Sequence, residues 1–264
     1  MKHITSPIIK NGLLAACLLS ASAHGFAQST FTYSLERDLL PATAALGIGL
    51  ASFLVDNEPD SLPGTQDRAE VNPFDRPFMF SYNKPLDYVS DYGVYGMLLL
   101  PALSALPNVS QPGTLLTYGI MYAEAFFLTA GTKNLLKNAI IRYRPYLYAD
   151  GIPFGKETDY DNSFPSGSTA YAFLSAGFLS ATYTSEFPES RWKIPVVAGS
   201  YALATGVASL RILSGSHFLT DVLTGAAIGT LYGWLIPVLH KTPRATPRPT
   251  IHLTSTSITL TLKL

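Results

Sequence analysis

An all-α bundle of six helices, embedded in a membrane and followed by a short extended C-terminal tail, is the fold this sequence predicts. Three observations predict it. Apolar residues gather into six segments, at approximately 39–55, 92–106, 114–130, 168–184, 194–213 and 218–239, whereas strands would require turn signals at much shorter intervals. Charged residues make up only 14% of the chain against 47% hydrophobic ones, too few to solvate the outside of six apolar helices, so a bilayer-facing surface accounts for the composition better. The segments lie near or below the ~20 residues that cross a bilayer. Mean hydropathy is a modest +0.21, which leaves a soluble bundle as the alternative.

Residues 1–27 read as an export signal. Lys2 and Lys10 precede the apolar run 13–19, and small residues, Ala21-Ser22-Ala23 or Gly25-Phe26-Ala27, stand before the expected cut. Cys17 is the only cysteine and belongs to this leader, so the chain beyond it has neither disulfides nor thiol chemistry. Residues 28–240 form one helical domain, since neither internal repeats nor a long polar linker divides them. The loop 56–85 is long and rich in Pro and Asp. A second polar loop, 150–161, with Tyr143, Tyr146 and Tyr148 nearby, is expected to form a rim over a pocket. Glu124, inside the third segment, is read as a polar contact to a neighbouring helix. Residues 241–249 are a basic, Pro-rich linker, and 251–264 alternate apolar residues with Thr and Ser as a short amphipathic strand with no obvious partner, although it could pair with the stretch 29–34.

The topology carries a conflict. Six crossings place the stretch before residue 39 on the same side as the basic tail, the inner side, whereas a cleaved leader places it outside. Either one segment does not span, the leader is not cleaved, or the bundle is soluble. With 18 cationic and 18 anionic residues the formal charge is zero, so no global field favours nucleic acid as a partner, and no protein partner is implied. No set of metal ligands is legible.

Three stretches carry chemistry. Lys137 and Arg144 lie seven apart on a helical pattern ended by Pro145, which puts both cations on one face to clamp an anion. Ser163-Phe164-Pro165-Ser166-Gly167-Ser168 leads into an apolar run, so the N–H groups of Ser166 and Gly167 open a helix, a place where phosphate binds. His217 and Asp221 lie four apart at the head of the last segment, where a carboxylate can fix the imidazole tautomer and leave the other nitrogen as base or nucleophile. Arg211 precedes His217 across the turn Ser214-Gly215-Ser216. Each stretch alone also fits a capped helix start or a solvated cation.

In this order the three stretches resemble the type 2 phosphatidic acid phosphatase (PAP2) and vanadium haloperoxidase superfamily, whose members carry Lys-x6-Arg-Pro, Pro-Ser-Gly-His and Ser-Arg-x5-His-x3-Asp. The resemblance covers roughly residues 85–240 and implies a six-helix bundle of the PAP2 type. It further implies that Lys137, Arg144, Ser166, Gly167 and Arg211 hold a phosphate, that His217 attacks phosphorus and that Asp221 orients His217. The expected activity is that of a phosphatase with no metal and no cofactor, acting through a phosphohistidine on a lipid phosphate or diphosphate at the cell envelope, with its site facing the periplasm. Two positions depart from the pattern. Leu210 stands where the family has Ser, with Ser209 one place earlier, and Ser168 stands where it has the general-acid His. A hydroxyl is a poor acid near pH 7, and losing general acid catalysis costs about 10²–10⁴-fold. A diphosphate substrate, whose leaving group departs without a proton, resolves this best. Otherwise another group such as Asp161 substitutes, or the protein is a non-catalytic phosphate- or headgroup-binding relative. A secreted soluble acid phosphatase is the alternative within the family, and a vanadate-dependent haloperoxidase would itself need the absent His.

Overall fold

The computed structural model describes residues 30–54, 66–108, 110–156, 159–242, 250–254 and 257–261. The expected export signal lies outside them. Six long helices form the domain: α1 (Leu35–Leu54), α2 (Lys84–Leu99), α3 (Pro112–Ala139), α4 (Gly167–Glu186), α5 (Lys193–Leu213) and α6 (Leu219–Leu239). The six-helix all-α bundle therefore stands, with two boundaries moved. Helix α2 begins well before residue 92, because the Asn83 side chain accepts the Leu86 N–H at 3.1 Å and Pro85 occupies the first turn. Asp87, in its polar first turn, is buried although the turn carries no apolar periodicity. Helix α3 runs past its apolar stretch to Ala139 and carries Lys133 and Lys137 on its last turns.

Helix α4 is the axis of the bundle. It packs most closely on α6 and also meets α2, α3 and α5. Phe31, Met121, Ala125, Leu174, Phe178 and Ile236 form the core between α1, α3, α4 and α6, and Val94, Met97, Ala172, Ala176, Ala204 and Val207 fill the space between α2, α4 and α5. The α4–α6 contact is close because α6 presents Gly225, Gly229 and Gly233 along one stripe. A Cβ on Gly229 would stand 2.0 Å from the Ala170 carbonyl oxygen. This contact brings the start of α4 to the start of α6, where the Ser166 N–H donates to the Asp221 carbonyl at 3.0 Å.

The outside of the bundle is apolar. Leu40, Leu54, Tyr92, Leu99 and Ile194 are largely exposed, and the helical stretches Lys84–Asn108, Lys193–Leu213 and Leu219–Leu239 are each long and apolar enough to cross a membrane. The bundle is membrane-embedded. Glu124 does contact other helices: its carboxylate lies 3.4 Å from His240 Nε2, which lies equally far from Asp38 of α1. The tail differs from the single strand expected. Thr250–Thr254 (β1) pairs antiparallel with Ser257–Thr261 (β2), so the tail's partner is itself. Residues 30–32 pair instead with the end of α6, where Phe31 bridges to Lys241 and the Thr32 N–H donates to the His240 carbonyl at 3.0 Å.

Candidate active site

Helix α3 ends at Ala139, and Ile140 takes an extended conformation. Arg144 is extended as well (φ −77°, ψ 153°), as a residue before proline must be. Lys137 and Arg144 therefore do not share a helix face, contrary to what their spacing predicts. A short ribbon brings Arg144 back: the Arg142 N–H donates to the Asp161 carbonyl, the Ser163 N–H to the Arg142 carbonyl and the Arg144 N–H to the Tyr160 carbonyl, at 3.0, 2.9 and 2.8 Å. Both cations reach the same site by different routes. The Lys137 ammonium donates to the Asn162 carbonyl.

His217 lies just outside α6, since Phe218 is the residue that caps the helix. His217 and Asp221 consequently do not share a helix face, and their side chains approach without a direct hydrogen bond. The His217 Nδ1 bonds the Ser163 carbonyl at 2.7 Å and stands 3.7 Å from Asp221. Asp221 acts at one remove. It accepts the Ser163 hydroxyl at 2.6 Å and the Phe218 N–H at 2.8 Å, and pairs with Arg142. It thereby fixes both the carbonyl-bearing residue that holds the ring and the turn that carries it.

A carbonyl can only accept, so Nδ1 carries the proton and Nε2 the lone pair. Arg144 Nη1 stands 3.2 Å from that Nε2, and its other bonds run to the Ser216 carbonyl and to Asp159. Burial, followed by the positive charges of Arg144, Arg211 and Lys137, holds the His217 pKa well below the usual imidazole value. The neutral, nucleophilic form consequently persists as pH falls through 6.5. kcat/KM is expected to show no His217 limb at 6.5, with its loss beginning well below. Stability has the same origin and the opposite trend. An unfolded imidazole binds a proton near 6.5 and the native one does not, so the folded state weakens as pH falls below that value. A pH–rate profile and melting curves across pH 5–8 check both.

Arg211, in the last turn of α5, is buried. Its Nη1 donates to Asp87, Ser90 and Asp91 at 2.7, 2.9 and 3.0 Å. Its Nε has no partner, which leaves one donor open for an anion. Ser166 is the N-cap of α4, bonded through its side chain to Thr169. Because its N–H is already donated to Asp221, the groups of this turn left to meet a phosphate are the N–H groups of Gly167 and Ser168. Ser209 does not take the place of the Ser replaced by Leu210, for it is exposed and its hydroxyl bonds the Thr205 carbonyl at 2.9 Å. Asp161 accepts from the Asn162 side chain at 3.1 Å. Tyr146 is no rim residue. It is fully buried, edge-on to Tyr82, with a hydroxyl that lacks a partner, and Tyr148 packs against Phe218.

Sequence reasoning missed several contributors. Arg142 bridges Asp221 to Asp75, which lies 2.6 Å away, and Asp75 also accepts the Thr220 N–H and hydroxyl. Burial alone would raise the Asp75 pKa, but hydrogen bonds from Thr220, Asn72 and Arg142 outweigh it and hold the carboxyl below its ordinary value. Asp87 joins Arg211, Ser216 and Lys156. Ser163 links His217 to Asp221.

The site is a buried cluster of cations with a neutral imidazole at its focus, carried on the ends of bundle helices. Such an arrangement can hold an oxyanion. Residues 118–245, the stretch that carries every site residue from Lys137 to Asp221, match the family model described as PAP2 superfamily. It is 38% identical over 170 residues to the lipid A 1-phosphatase of Porphyromonas gingivalis, covering 62% of this chain and 33% of that protein. It is 26% identical over 161 residues to the bacitracin transport permease protein BcrC of Bacillus licheniformis, covering 60% and 73%. The chain thus spans about a third of the length of the first relative. Among solved structures, LpxE of Aquifex aeolicus aligns with a TM-score of 0.43 and 23% identity over 61% of this chain and 90% of that one. The first transmembrane PAP2-type phosphatidylglycerolphosphate phosphatase from Bacillus subtilis aligns with 0.41 and 18% over 86% and 92%.

Proposed function

We propose that this protein is a phosphatase that hydrolyses a lipid phosphate or diphosphate through a phosphohistidine, without a metal, at the cell envelope with its site facing the periplasm. The observation that carries the reading is the pairing of a lone-pair-bearing His217 Nε2 with Arg144 at 3.2 Å, in a site that Lys137 and Arg211 also border. The similarity to a lipid A 1-phosphatase supports a lipid phosphate as substrate.

Phosphoryl transfer requires positioned positive charge on the equatorial oxygens and an in-line nucleophile. Lys137, Arg144, the open Nε of Arg211 and the N–H groups of Gly167 and Ser168 supply the first. His217 supplies the second: its Nε2 bonds phosphorus as the bond to the leaving oxygen breaks, while the Ser163 carbonyl, held by Asp221, stabilises the charge that develops on Nδ1–H. Water then cleaves the N–P bond and releases phosphate.

The test is a phosphate-release panel over phosphatidate, a prenyl diphosphate and lipid A with the purified protein, together with acid-labile ³²P capture. Label trapped on the wild type and absent from His217→Ala is expected. Phosphate binding without release or trapping would identify a non-catalytic relative instead.

A further inference from the structure

Most of the site's cations already have carboxylate partners. Arg142 pairs with Asp75 and Asp221, Arg144 with Asp159, Arg211 with Asp87 and Asp91, and Lys156 with Asp87. Lys137 and Lys133 make no ion pair with a carboxylate among the described residues. The family resemblance gives Lys137 a role on the phosphate. It gives Lys133 none.

Lys133 lies one turn before Lys137 on α3, about 6 Å along the axis. Its Nζ donates to the Asn134 side-chain Oδ1 at 2.5 Å and stands 5.7 Å from the centre of the Tyr171 ring. Its Cδ lies 2.8 Å from the point where a Cβ on Gly167 would stand, and its Nζ 3.7 Å from that point. Tyr171 is three residues after Ser168 and four after Gly167, so all three share one face of α4. The Lys133 side chain, lying against Gly167 and beside the Tyr171 ring, therefore runs along the first turn of α4, the turn that carries Ser168 with its short hydroxymethyl.

We infer that Lys133 is the catalytic proton donor that stands in for the imidazole missing at position 168. The inference rests on the phosphatase reading above. As His217 Nε2 bonds phosphorus and the P–O bond breaks, the Lys133 ammonium passes one proton to the departing oxygen, giving a neutral alcohol and a neutral amine. In the second half the amine takes a proton from the attacking water as the N–P bond breaks. The ammonium, the free imidazole and inorganic phosphate are thereby restored. The protein then needs no diphosphate leaving group to turn over, and monoesters of ordinary alcohols come within its range. Asp161, the other candidate donor, is engaged by Asn162.

The test compares two phosphate monoesters, dioctanoyl phosphatidate with a poor leaving group and p-nitrophenyl phosphate with a good one, in the detergent-purified full chain. Lys133→Ala should lose about 10²-fold or more on the first and under about 10-fold on the second. Lys133→Arg keeps the charge but cannot release a proton, so it should show the same selective loss. Lys133→Ala/Ser168→His, in which removal of the lysine makes room for the ring, should regain phosphatidate turnover over Lys133→Ala. Equal losses on both substrates, or an Arg variant as active as wild type on phosphatidate, would overturn the inference while leaving the phosphatase reading intact. A wild-type protein that hydrolyses neither would overturn the reading itself.

Discussion

His217→Ala is expected to abolish phosphate release, and Arg144→Ala to reduce it by about 10²–10³-fold, close to 3–4 kcal/mol of transition-state stabilisation. The two losses differ in kind. Without His217 the site retains its cations and still attracts phosphate, but no lone pair faces phosphorus, and the Ser163 carbonyl loses its donor. Without Arg144 the nucleophile remains, but the charge beside its Nε2 is gone. The Arg144 variant should stay folded, because its main ionic partner, Asp159, is 43% exposed and water can replace the guanidinium. Phosphate release from folded, monodisperse protein is the measurement. Wild-type turnover in either variant would reject the site.

How much of this was legible in the sequence depended on whether a signal was local. The last five residues of the third motif, the Ser166-Gly167 helix start and the Lys137–Arg144–Pro145 spacing are local patterns, and the fold brings all three together. The geometry inside each pattern was read less well. The spacing puts Lys137 and Arg144 on one helix, although Pro145 forces its neighbour out of the helical region, and puts His217 inside a helix that begins two residues later. Both expectations extend a helical period across a helix terminus. Asp75, Asp87, Asp159 and Ser163 were not legible as site residues at all, because loops and a polar first turn carry them and only tertiary closure brings them to Asp221, Arg211, Arg144 and His217. Two readable signals were passed over. Asn83 followed by Pro85 marks a helix start eight residues ahead of the apolar run, and Gly225, Gly229 and Gly233 recur every four residues, the period of a close helix–helix contact.

That glycine stripe carries the largest expected effect on stability. An alanine methyl at Gly229 would lie 2.0 Å from the Ala170 carbonyl oxygen and 2.7 Å from the Leu174 nitrogen, both backbone atoms of α4 that cannot rotate away. The helices must separate, which costs typically 1–3 kcal/mol or more when a core is overpacked. Separation also acts on chemistry, since Gly225 on the same stripe holds α6 against the Ser166 carbonyl, next to the 3.0 Å bond from the Ser166 N–H to Asp221. Gly229→Ala should therefore lower the melting temperature and phosphate release together, although it lies about three turns from His217. The same substitution at Gly119, in the middle of α3 with open space around it, meets nothing within 4 Å. There the gain in helix propensity, about 0.5–1 kcal/mol, should dominate and raise the melting temperature. Melting curves for both variants in one detergent decide the matter: a Gly229→Ala protein as stable as wild type would mean that α4 and α6 are not held together by this stripe.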